Sequence, residues 1–402
     1  MPFALIQGAA VVGQSGGPTA VINQSLVGVV EALKGAGPIT SILGARNGVR
    51  GMIEERFADM GALDNEMLER IAITPSAALG SSRDKPDEAY CAKIFEVFEK
   101  KNVRYFFYIG GNDSSDTCRI INELSDQAGY ELRCFHIPKT IDNDLVCNDH
   151  TPGYPSAARF VAKAFMGDNL DNRSLPGIKI DIVMGRHAGF LTAASALARQ
   201  HEDDGPHLIY CPERAFDPDK FVADIDRVYT KHGRCLVAVS EGIANAEGES
   251  ISAMMSGAGE KDAHGNVQLS GSGALGDWLA NVVKIELTPQ GGKPPRVRAD
   301  TLGYLQRCYP DASDIDQAEA RAAGAKAAEV AMSGDLDGSI AIERLSNEPY
   351  KSGMKLIKLG DVAAKTKHMP DEFISGCGTD VTDAFIEYVK PLVGTLPRTA
   401  RV

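Results

Sequence analysis

The chain has 402 residues, 44% of them hydrophobic and 24% charged. This composition is typical of a folded protein of about two domains and excludes a peptide, a disulfide-stapled scaffold and a lone binding module. The 42 Lys and Arg residues against 54 Asp and Glu residues give a net charge of −12, which argues against broad binding to nucleic acids or anionic membranes. Taken alone, the same charge also argues against an anionic substrate.

Short apolar stretches that lead into polar loops and then into helical patterns recur along the chain. Apolar stretches occupy residues 4–12, 104–109, 132–137, 178–183, 208–211 and 234–239, and helical patterns follow at 20–33, 118–124 and 314–332. This alternation predicts an α/β fold with mainly parallel sheets covered on both faces. Residues 244–273, rich in Gly and Ser, are predicted to form a mobile insertion.

The cysteines and histidines carry no metal-site signature. The eight cysteines form no CxxC pair, and the eight histidines show neither HExxH nor HxxxH spacing, so no zinc site is expected. A reduced, cytoplasmic protein is the simplest account of scattered cysteines. No basic N-terminal region and no stretch of 18 apolar residues occur, so we expect neither a signal peptide nor a membrane span.

Two of the polar loops contain adjacent glycines. In residues 13–19, GQSGGPT, Gly16 and Gly17 would let backbone N–H groups approach a phosphate, although a tight strand-to-helix turn explains them equally well. In residues 110–114, GGNDS, the side-chain oxygens of the Asn-Asp pair could hold a hard cation. Asp113 and Ser114 could equally cap the following helix.

The loop of residues 139–144, KTIDND, is the most informative. Asp142 and Asp144 are two residues apart, and on an extended segment they would face the same side. One could then hold Mg²⁺ while the other accepts a proton from a hydroxyl. Lys139 beside them is the cation that a developing phosphoryl charge requires. An Asx-turn loop with a solvated lysine is the alternative, which the recurrence of polar loops at strand ends weakens.

Several arginines also lie in predicted loops or at predicted strand ends. They are Arg83, Arg186, Arg298 and Arg307. A guanidinium binds phosphate through two parallel hydrogen bonds, so the set favours a phosphorylated substrate. Any one of them is more often a surface ion pair, and we expect the set, with Lys139, to gather at one locally positive cleft despite the net negative charge.

Six motifs, in order and spacing, resemble the phosphofructokinase family from about residue 11 to residue 316. They are GQSGGPTAVIN, GGNDS, PKTIDND, MGRHAGF, PERAF and RADTLGYLQR. The resemblance implies two similar Rossmann-like three-layer α/β domains with the active site in the cleft between them. We expect a donor-binding domain of residues 1–155 plus about 311–345 and a sugar-phosphate-binding domain of residues 156–310 plus about 346–402.

The resemblance also assigns roles to residues. It implies that Asp142 is the base that activates the 1-hydroxyl of fructose 6-phosphate. The sugar-binding residues would be Thr140, Ile141, Asp142, Met184, Gly185, Arg186, Glu213, Arg298, Tyr304 and Arg307. The donor-binding residues would be Gly16, Gly17, Arg83, Asp113, Ser114 and Lys139, and the Mg²⁺ cofactor would be held by Asn112 and Asp144.

Two positions favour pyrophosphate as the phosphoryl donor. ATP-dependent members resemble GGDGS and PGTIDND, whereas this chain has Asp113 and Lys139 where those motifs have glycine. A carboxylate at the first position opposes the α-phosphate of ATP by bulk and charge, and the lysine offers a positive charge to pyrophosphate. Tyr304, in place of a histidine usual in ATP-dependent members, is similar to the pyrophosphate-dependent subgroup.

The pattern also departs from the family. Asn112 stands where many members have an aspartate near Mg²⁺, and a neutral amide is a weaker ligand. Gly177 occupies the position of an arginine that in bacterial ATP-dependent members reaches a neighbouring subunit, so that role is not carried over.

The expected reaction is reversible transfer between pyrophosphate and fructose 6-phosphate, in glycolysis and gluconeogenesis, by a cytoplasmic homo-oligomer, a dimer or tetramer. Two alternatives stay open: an ATP-dependent sugar-phosphate kinase of the same fold, and a non-catalytic subunit that senses sugar phosphates. The paired aspartates of the 139–144 loop argue against the second alternative, because a sensor needs neither.

Overall fold

The computed structural model describes residues 5–256 and 273–401. Its strands are β1 Gly8–Gln14, β2 Ile39–Ala45, β3 Phe57–Asp59, β4 Val103–Gly110, β5 Arg133–Pro138, β6 Ile178–Val183, β7 Leu208–Tyr210, β8 Cys235–Ser240, β9 Val297–Thr301, β10 Asp337–Asn347 and β11 Tyr350–Ile357.

The helices alternate with these strands along most of the chain. They are α1 Ile22–Leu33, α2 Gly48–Ile53, α3 Asn65–Ala72, α4 Glu88–Lys100, α5 Asn112–Ala128, α6 Tyr154–Ser174, α7 Phe190–Ala194, α8 Pro218–His232, α9 Ile251–Ser256, α10 Ala274–Glu286, α11 Leu305–Cys308, α12 Asp314–Ser333, α13 Leu359–Val362 and α14 Asp383–Val393. Short 3₁₀ turns occupy Ser195–Ala198 and Asp371–Phe373. Within the described ranges, no helix is both long and apolar enough to cross a membrane.

The chain divides into two compact units, each built from two separate segments. Unit 1 comprises Met1–Ser156 and Arg307–Lys367, and unit 2 comprises Ala157–Gln306 and His368–Val402. Residues 346–367, predicted in the sugar-binding domain, belong instead to unit 1. The reason is that β11 pairs antiparallel with β10, which itself pairs with β5 of the same sheet.

Unit 1 contains a seven-stranded sheet in the order β11-β10-β5-β4-β1-β2-β3. The inner strands from β10 to β2 run parallel, and only the outermost pairs are antiparallel. Successive residues of β4 alternate between two cores: Phe107 packs with helices α1 and α12 on one face, and Phe106 packs with α4 and α5 on the other. These two cores give the three-layer arrangement that the sequence predicts.

Unit 2 contains a smaller, four-stranded parallel sheet in the order β7-β8-β6-β9. One core face joins Ile178, Ile180 and Ile182 of β6 to apolar side chains of α8 and α10. The likeness between the two units is therefore confined to the parallel strand-and-helix pattern, because their sheets differ in strand number.

The structure differs from the sequence prediction at the start of α5 and describes only part of the predicted insertion. Helix α5 begins at Asn112, immediately after β4, rather than at residue 118. Asp113 and Ser114 therefore lie inside its first turn, and the prediction that they cap it from outside is wrong: the cap position is Gly111. Of the predicted mobile insertion, residues 244–256 form a turn and α9, and residues 257–272 lie outside the described residues.

Candidate active site

Three neighbouring strands of unit 1 end at one edge of its sheet. Strands β1, β4 and β5 are adjacent and parallel, so Gln14 lies beside Ile109 and Gly110 lies beside Pro138. The loops that begin at residues 15, 111 and 139 therefore leave the sheet side by side. This edge brings together the three polar loops that the sequence singled out.

The first loop packs against two cations. Gly16 has φ +72°, a left-handed conformation that favours glycine, and a Cβ there would lie 3.3 Å from Lys139 Nζ. A Cβ on Gly17 would lie 2.9 Å from the guanidinium carbon of Arg307. The Gly16 N–H donates to Ser82 O at 2.9 Å, so the amide of this glycine already has a hydrogen-bond partner within the protein.

The second loop turns directly into α5. A Cβ on Gly110 would lie 1.9 Å from Ser114 Oγ, so only glycine fits there. Asp113, in the first turn of α5, pairs with Lys85, whose Nζ lies 3.0 Å from Asp113 Oδ1. Both side chains are about half exposed, and such a pair is worth little to stability. The pair holds the Asp113 carboxylate beside Lys85 at the start of α5.

The third loop is bent rather than extended. Asn143 has φ +58°, in the left-handed region, so the reasoning that placed Asp142 and Asp144 on one side of an extended segment is wrong. The two carboxylates are nevertheless close enough for Asp142 to raise the pKa of Asp144. Thr140 Oγ1 accepts from Asp142 N at 3.1 Å, and the carbonyl of Thr140 accepts from Thr151 Oγ1 at 2.8 Å.

Buried charges dominate the electrostatics of this edge. Lys139 is only 3% exposed, and burial, with the nearby Arg307 charge, lowers the pKa of its ammonium to about 8. Its Nζ donates to Gly17 O at 2.8 Å. Burial, reinforced by the Asp142 charge, raises the pKa of Asp144 to about 7. Buried lysine and aspartate side chains whose pKa values are both shifted toward neutrality occur often at sites that bind charged ligands.

The oxygens expected to hold Mg²⁺ satisfy a test of fit. Asn112 Oδ1 is buried and has no hydrogen-bond partner among the described residues, while Asn112 Nδ2 lies 3.5 Å from Asp144 Oδ2. An unsatisfied amide oxygen near a carboxylate offers oxygen ligands of the kind that a hard divalent cation prefers, with substrate phosphates and waters completing its coordination. Asn112 and Asp144 therefore fit the role of metal ligands.

Sequence reasoning missed three residues of this edge: Lys85, His136 and Lys367. The ring nitrogens of His136 lie 2.9 Å from Gly110 O and 2.8 Å from Ser339 Oγ. Burial lowers the pKa of His136 to about 4, so the neutral ring links β5 to these two groups. Lys367 Nζ donates to Asn143 Oδ1. A histidine inside the apolar stretch 132–137 was a readable signal, whereas Lys367 had none.

Unit 2 carries the remaining predicted sugar-binding residues, and several share one end of its sheet. Met184, Gly185 and Arg186 follow the carboxyl end of β6. Gly185 has φ +132°, and its carbonyl accepts from Ser240 Oγ at 2.7 Å. The Met184 amide donates to Gln306 Oε1 at 3.2 Å, a buried partner that the sequence reasoning did not name.

Glu213 lies at the same end of unit 2. Its Oε1 accepts from the amides of Gly189 and Met369 at 2.8 and 3.0 Å, and burial raises its pKa. Its Oε2 is buried and has no partner within the described part of the chain, so this oxygen can accept a hydrogen bond from a ligand hydroxyl.

Arg298 is not placed with these residues. It is the second residue of β9 and pairs in register with Lys179 near the amino end of β6, at the opposite end of the sheet from Arg186. Parallel strands place their amino ends together, so the prediction that Arg186 and Arg298 share one cleft within this unit is wrong. Tyr304, 48% exposed, follows β9 beyond its carboxyl end.

Comparisons with known proteins agree on one family. A family model described as Phosphofructokinase matches residues 9–331. The curated "Pyrophosphate--fructose 6-phosphate 1-phosphotransferase" of Rhodospirillum rubrum is 56% identical over 97% of this chain and 95% of its own length, and the Halomonas elongata protein of the same name is 37% identical over 94% and 90%. The crystal structure of a pyrophosphate-dependent phosphofructokinase from Nitrosospira multiformis superimposes with a TM-score of 0.85, at 35% identity, over 98% of this chain and 94% of that one.

Proposed function

The chain belongs to the phosphofructokinase family, and we propose that it transfers a phosphoryl group from pyrophosphate to the 1-hydroxyl of fructose 6-phosphate with Asp142 as the base. The observation that carries this proposal is the buried Lys139 ammonium, bonded to Gly17 O and close to Asp142 and Asp144. A buried cation at this edge suits a small, highly charged donor. The names of the R. rubrum and H. elongata relatives support the same donor and acceptor.

The chemistry assigns one task to each group. The sugar hydroxyl oxygen attacks phosphorus, its proton passes to the Asp142 carboxylate, and the bridging P–O bond of pyrophosphate breaks to release phosphate. Lys139 and Arg307 offset the negative charge on the transferred group. Mg²⁺, held by Asn112 and Asp144, would neutralise pyrophosphate oxygens. Catalysis by such a site is mainly positioning and charge stabilisation.

Donor choice falls to Asp113 and Lys139. Asp113 stands in the first turn of α5 and is held by Lys85, where its carboxylate would repel the additional phosphate of a nucleotide. Gly16 and Gly17 keep the space beside Lys139 and Arg307 free of side chains, and Arg83 adds charge there. Ser114 belongs to the same turn and is only 3% exposed.

Acceptor binding is proposed for the groups named on the two units. Thr140 and Ile141 lie beside Asp142 in unit 1. In unit 2 the proposed groups are Met184, Gly185, Arg186, Glu213 and Tyr304, and Arg298 is left out because it lies at the other end of the sheet. Glu213 Oε2 is the best supported of them, because it is a buried acceptor without a partner in the residues the structure describes.

The sequence also leads us to propose a compartment, subunit association and a reversible reaction. We expect a cytoplasmic homo-oligomer, because the cysteines are free and the family resemblance implies subunit association. Transfer should run in both directions, since the donor bond is a phosphoanhydride without a nucleotide.

Side-by-side assays with pyrophosphate and with ATP test the donor. Turnover with pyrophosphate and little with ATP is expected, and turnover with ATP alone would make the chain an ATP-dependent kinase. Sugar binding with no product from either donor would instead support the sensor alternative.

Donor-site variants test the residues themselves. Asp113→Gly combined with Lys139→Gly should remove pyrophosphate turnover and can admit weak ATP binding. Asp116→Gly, in the same helix and paired with Arg119 at 2.9 Å, is the matched control for the cost of about 1 kcal/mol that glycine brings to a helix. An unchanged donor preference in the double variant would overturn the assigned roles.

A further inference from the structure

Lys367 is the last residue of unit 1, and it bonds to the loop that carries Asp142 and Asp144. Its Nζ donates to Asn143 Oδ1 at 3.3 Å and to the carbonyls of Asn148 and Asp149 at 3.0 Å each. Its backbone amide donates to the carbonyl of Asp144 at 2.7 Å. One residue thus contacts the loop from Asn143 to Asp149.

The residue that precedes Lys367 also contacts this loop. Thr366 forms an isolated antiparallel bridge with Leu145, so residues 366 and 367 both bond to the loop. The loop is also held at its two ends: Thr140 bridges Gly153, and the Asp149 amide donates to the carbonyl of Ile342 in β10. Lys367 acts between these anchors, at the residues flanking the proposed base.

Asn143 explains why such an attachment matters. It lies between the two aspartates and holds the left-handed backbone conformation, φ +58°. Asparagine adopts this conformation more readily than most non-glycine residues, and contacts of its side chain can then hold it there. The hydrogen bonds from Lys367 to the Asn143 side chain and to the Asp144 carbonyl restrain the backbone between Asp142 and Asp144, and with it the positions of both carboxylates.

We propose that Lys367 is a positioning residue for phosphoryl transfer: through Asn143 and the Asp144 backbone it holds the Asp142 and Asp144 carboxylates in their reactive arrangement. The inference rests on the proposed function, in which Asp142 is the base. Lys367 lies beyond residue 331, where the match to the family model ends.

The test separates kcat from KM. Lys367→Met should lower kcat with pyrophosphate and fructose 6-phosphate about 10- to 100-fold, as loss of a supporting contact does, and leave both KM values within about twofold. Lys367→Arg, which keeps donor and charge, should recover part of the loss. Lys365→Met, two residues away on an exposed side chain that donates to Gly360 O, is the control and should match the wild type.

A second variant keeps the test decisive if Lys367→Met folds poorly. Asn143→Gly tolerates the positive φ but lacks the Oδ1 acceptor, so it should lower kcat with KM unchanged. In the double variant with Lys367→Met, the fold-loss of kcat should be smaller than the product of the two single losses, because both variants break the same Lys367–Asn143 hydrogen bond. Wild-type kcat in both single variants, or fully multiplicative effects, would overturn the inference.

Asp142→Asn distinguishes the two levels of failure. If Asp142→Asn keeps kcat within a few-fold of the wild type, the proposed base is wrong and the inference falls with it. If Asp142→Asn loses turnover while both Lys367→Met and Asn143→Gly retain it, the base stands and the role of Lys367 alone is wrong.

Discussion

The two units each place a lysine among aspartates, with opposite outcomes. In unit 1, burial lowers the pKa of Lys139, and its Nζ donates to a carbonyl. In unit 2, Lys179 Nζ lies 2.7 Å from both Asp168 Oδ1 and Asp300 Oδ2. Although burial opposes it, these hydrogen bonds raise the pKa of Lys179 above its ordinary value.

The third aspartate of the unit 2 cluster completes the contrast. Asp181 is fully buried in β6, and burial together with the Asp168 charge raises the pKa of Asp181 well above its usual range. The carboxylate oxygens of Asp168, Asp181 and Asp300 lie within 4.8 Å of one another, but the ammonium of Lys179 already supplies their cation. In unit 2 the charges of Lys179, Asp168 and Asp300 are paired with one another, whereas the buried lysine of unit 1 bonds to a carbonyl and its charge can bind a ligand.

The largest expected effect comes from the unit 1 carboxylate. Asp142→Asn keeps the shape of the side chain but cannot accept a proton, so kcat should fall about 10³-fold with little change in KM for fructose 6-phosphate. Asp300→Asn, in the unit 2 cluster, is the control and should keep wild-type turnover. Equal losses of kcat from both variants in steady-state assays would contradict the difference proposed between the two clusters.

Exchanging the two lysines for methionine should separate activity from stability. Lys139→Met should lower kcat/KM for pyrophosphate about 100-fold, because a buried cation facing the donor is lost, while the free energy of unfolding stays near the wild-type value. Lys179→Met should instead cost about 2 kcal/mol in urea denaturation, less than a fully buried pair because Asp300 is largely exposed, and spare turnover. The reverse pattern would contradict the comparison.

Magnesium dependence should single out one of the acidic clusters. Asp144→Asn should raise the Mg²⁺ concentration needed for half-maximal rate about 10-fold, and EDTA should abolish turnover of the wild type. Asp168→Asn should leave the Mg²⁺ requirement unchanged. A shift with Asp168→Asn and none with Asp144→Asn would move the metal to unit 2.

The smallest effect concerns stability and pH. Because the pKa of Asp181 is raised on folding, the native chain keeps a proton that the unfolded chain releases above about pH 4, so its contribution to stability falls as pH rises through that region. Asp181→Asn removes this loss and should raise the free energy of unfolding at pH 7 by about 1 kcal/mol. Denaturation at pH 4 and pH 7 checks the sign; a greater gain at pH 4 would refute it.

Sequence patterns located the strands that carry the site. The stretch 104–109 corresponds to β4, Val103–Gly110, and 132–137 to β5, Arg133–Pro138, because buried parallel strands read as short apolar runs. The loops after these strands were predicted for the same reason.

The features that the sequence did not predict depend on contacts between residues far apart in the chain and on local backbone conformation. Strand β11 is a half-exposed partner of β10, and its alternation is too weak to read. Lys367 reaches Asn143 across 224 residues, a contact that no local pattern encodes. The left-handed Asn143 and the amino-end position of Arg298 are likewise set by the folded sheet rather than by neighbouring residues.

The order of strands in the unit 1 sheet has a consequence during protein synthesis. His136 of β5 bonds to Ser339 of β10, a residue 203 positions later. At roughly 5–20 residues per second, the ribosome takes about 10–40 s to deliver that partner. Until then the nascent sheet carries an open edge at β5, whose unpaired backbone N–H and C=O groups can pair with another chain and aggregate unless a chaperone covers them. Ribosome-bound chains stopped before residue 337 should show this edge as a protease-sensitive β5 that becomes resistant once β10 emerges.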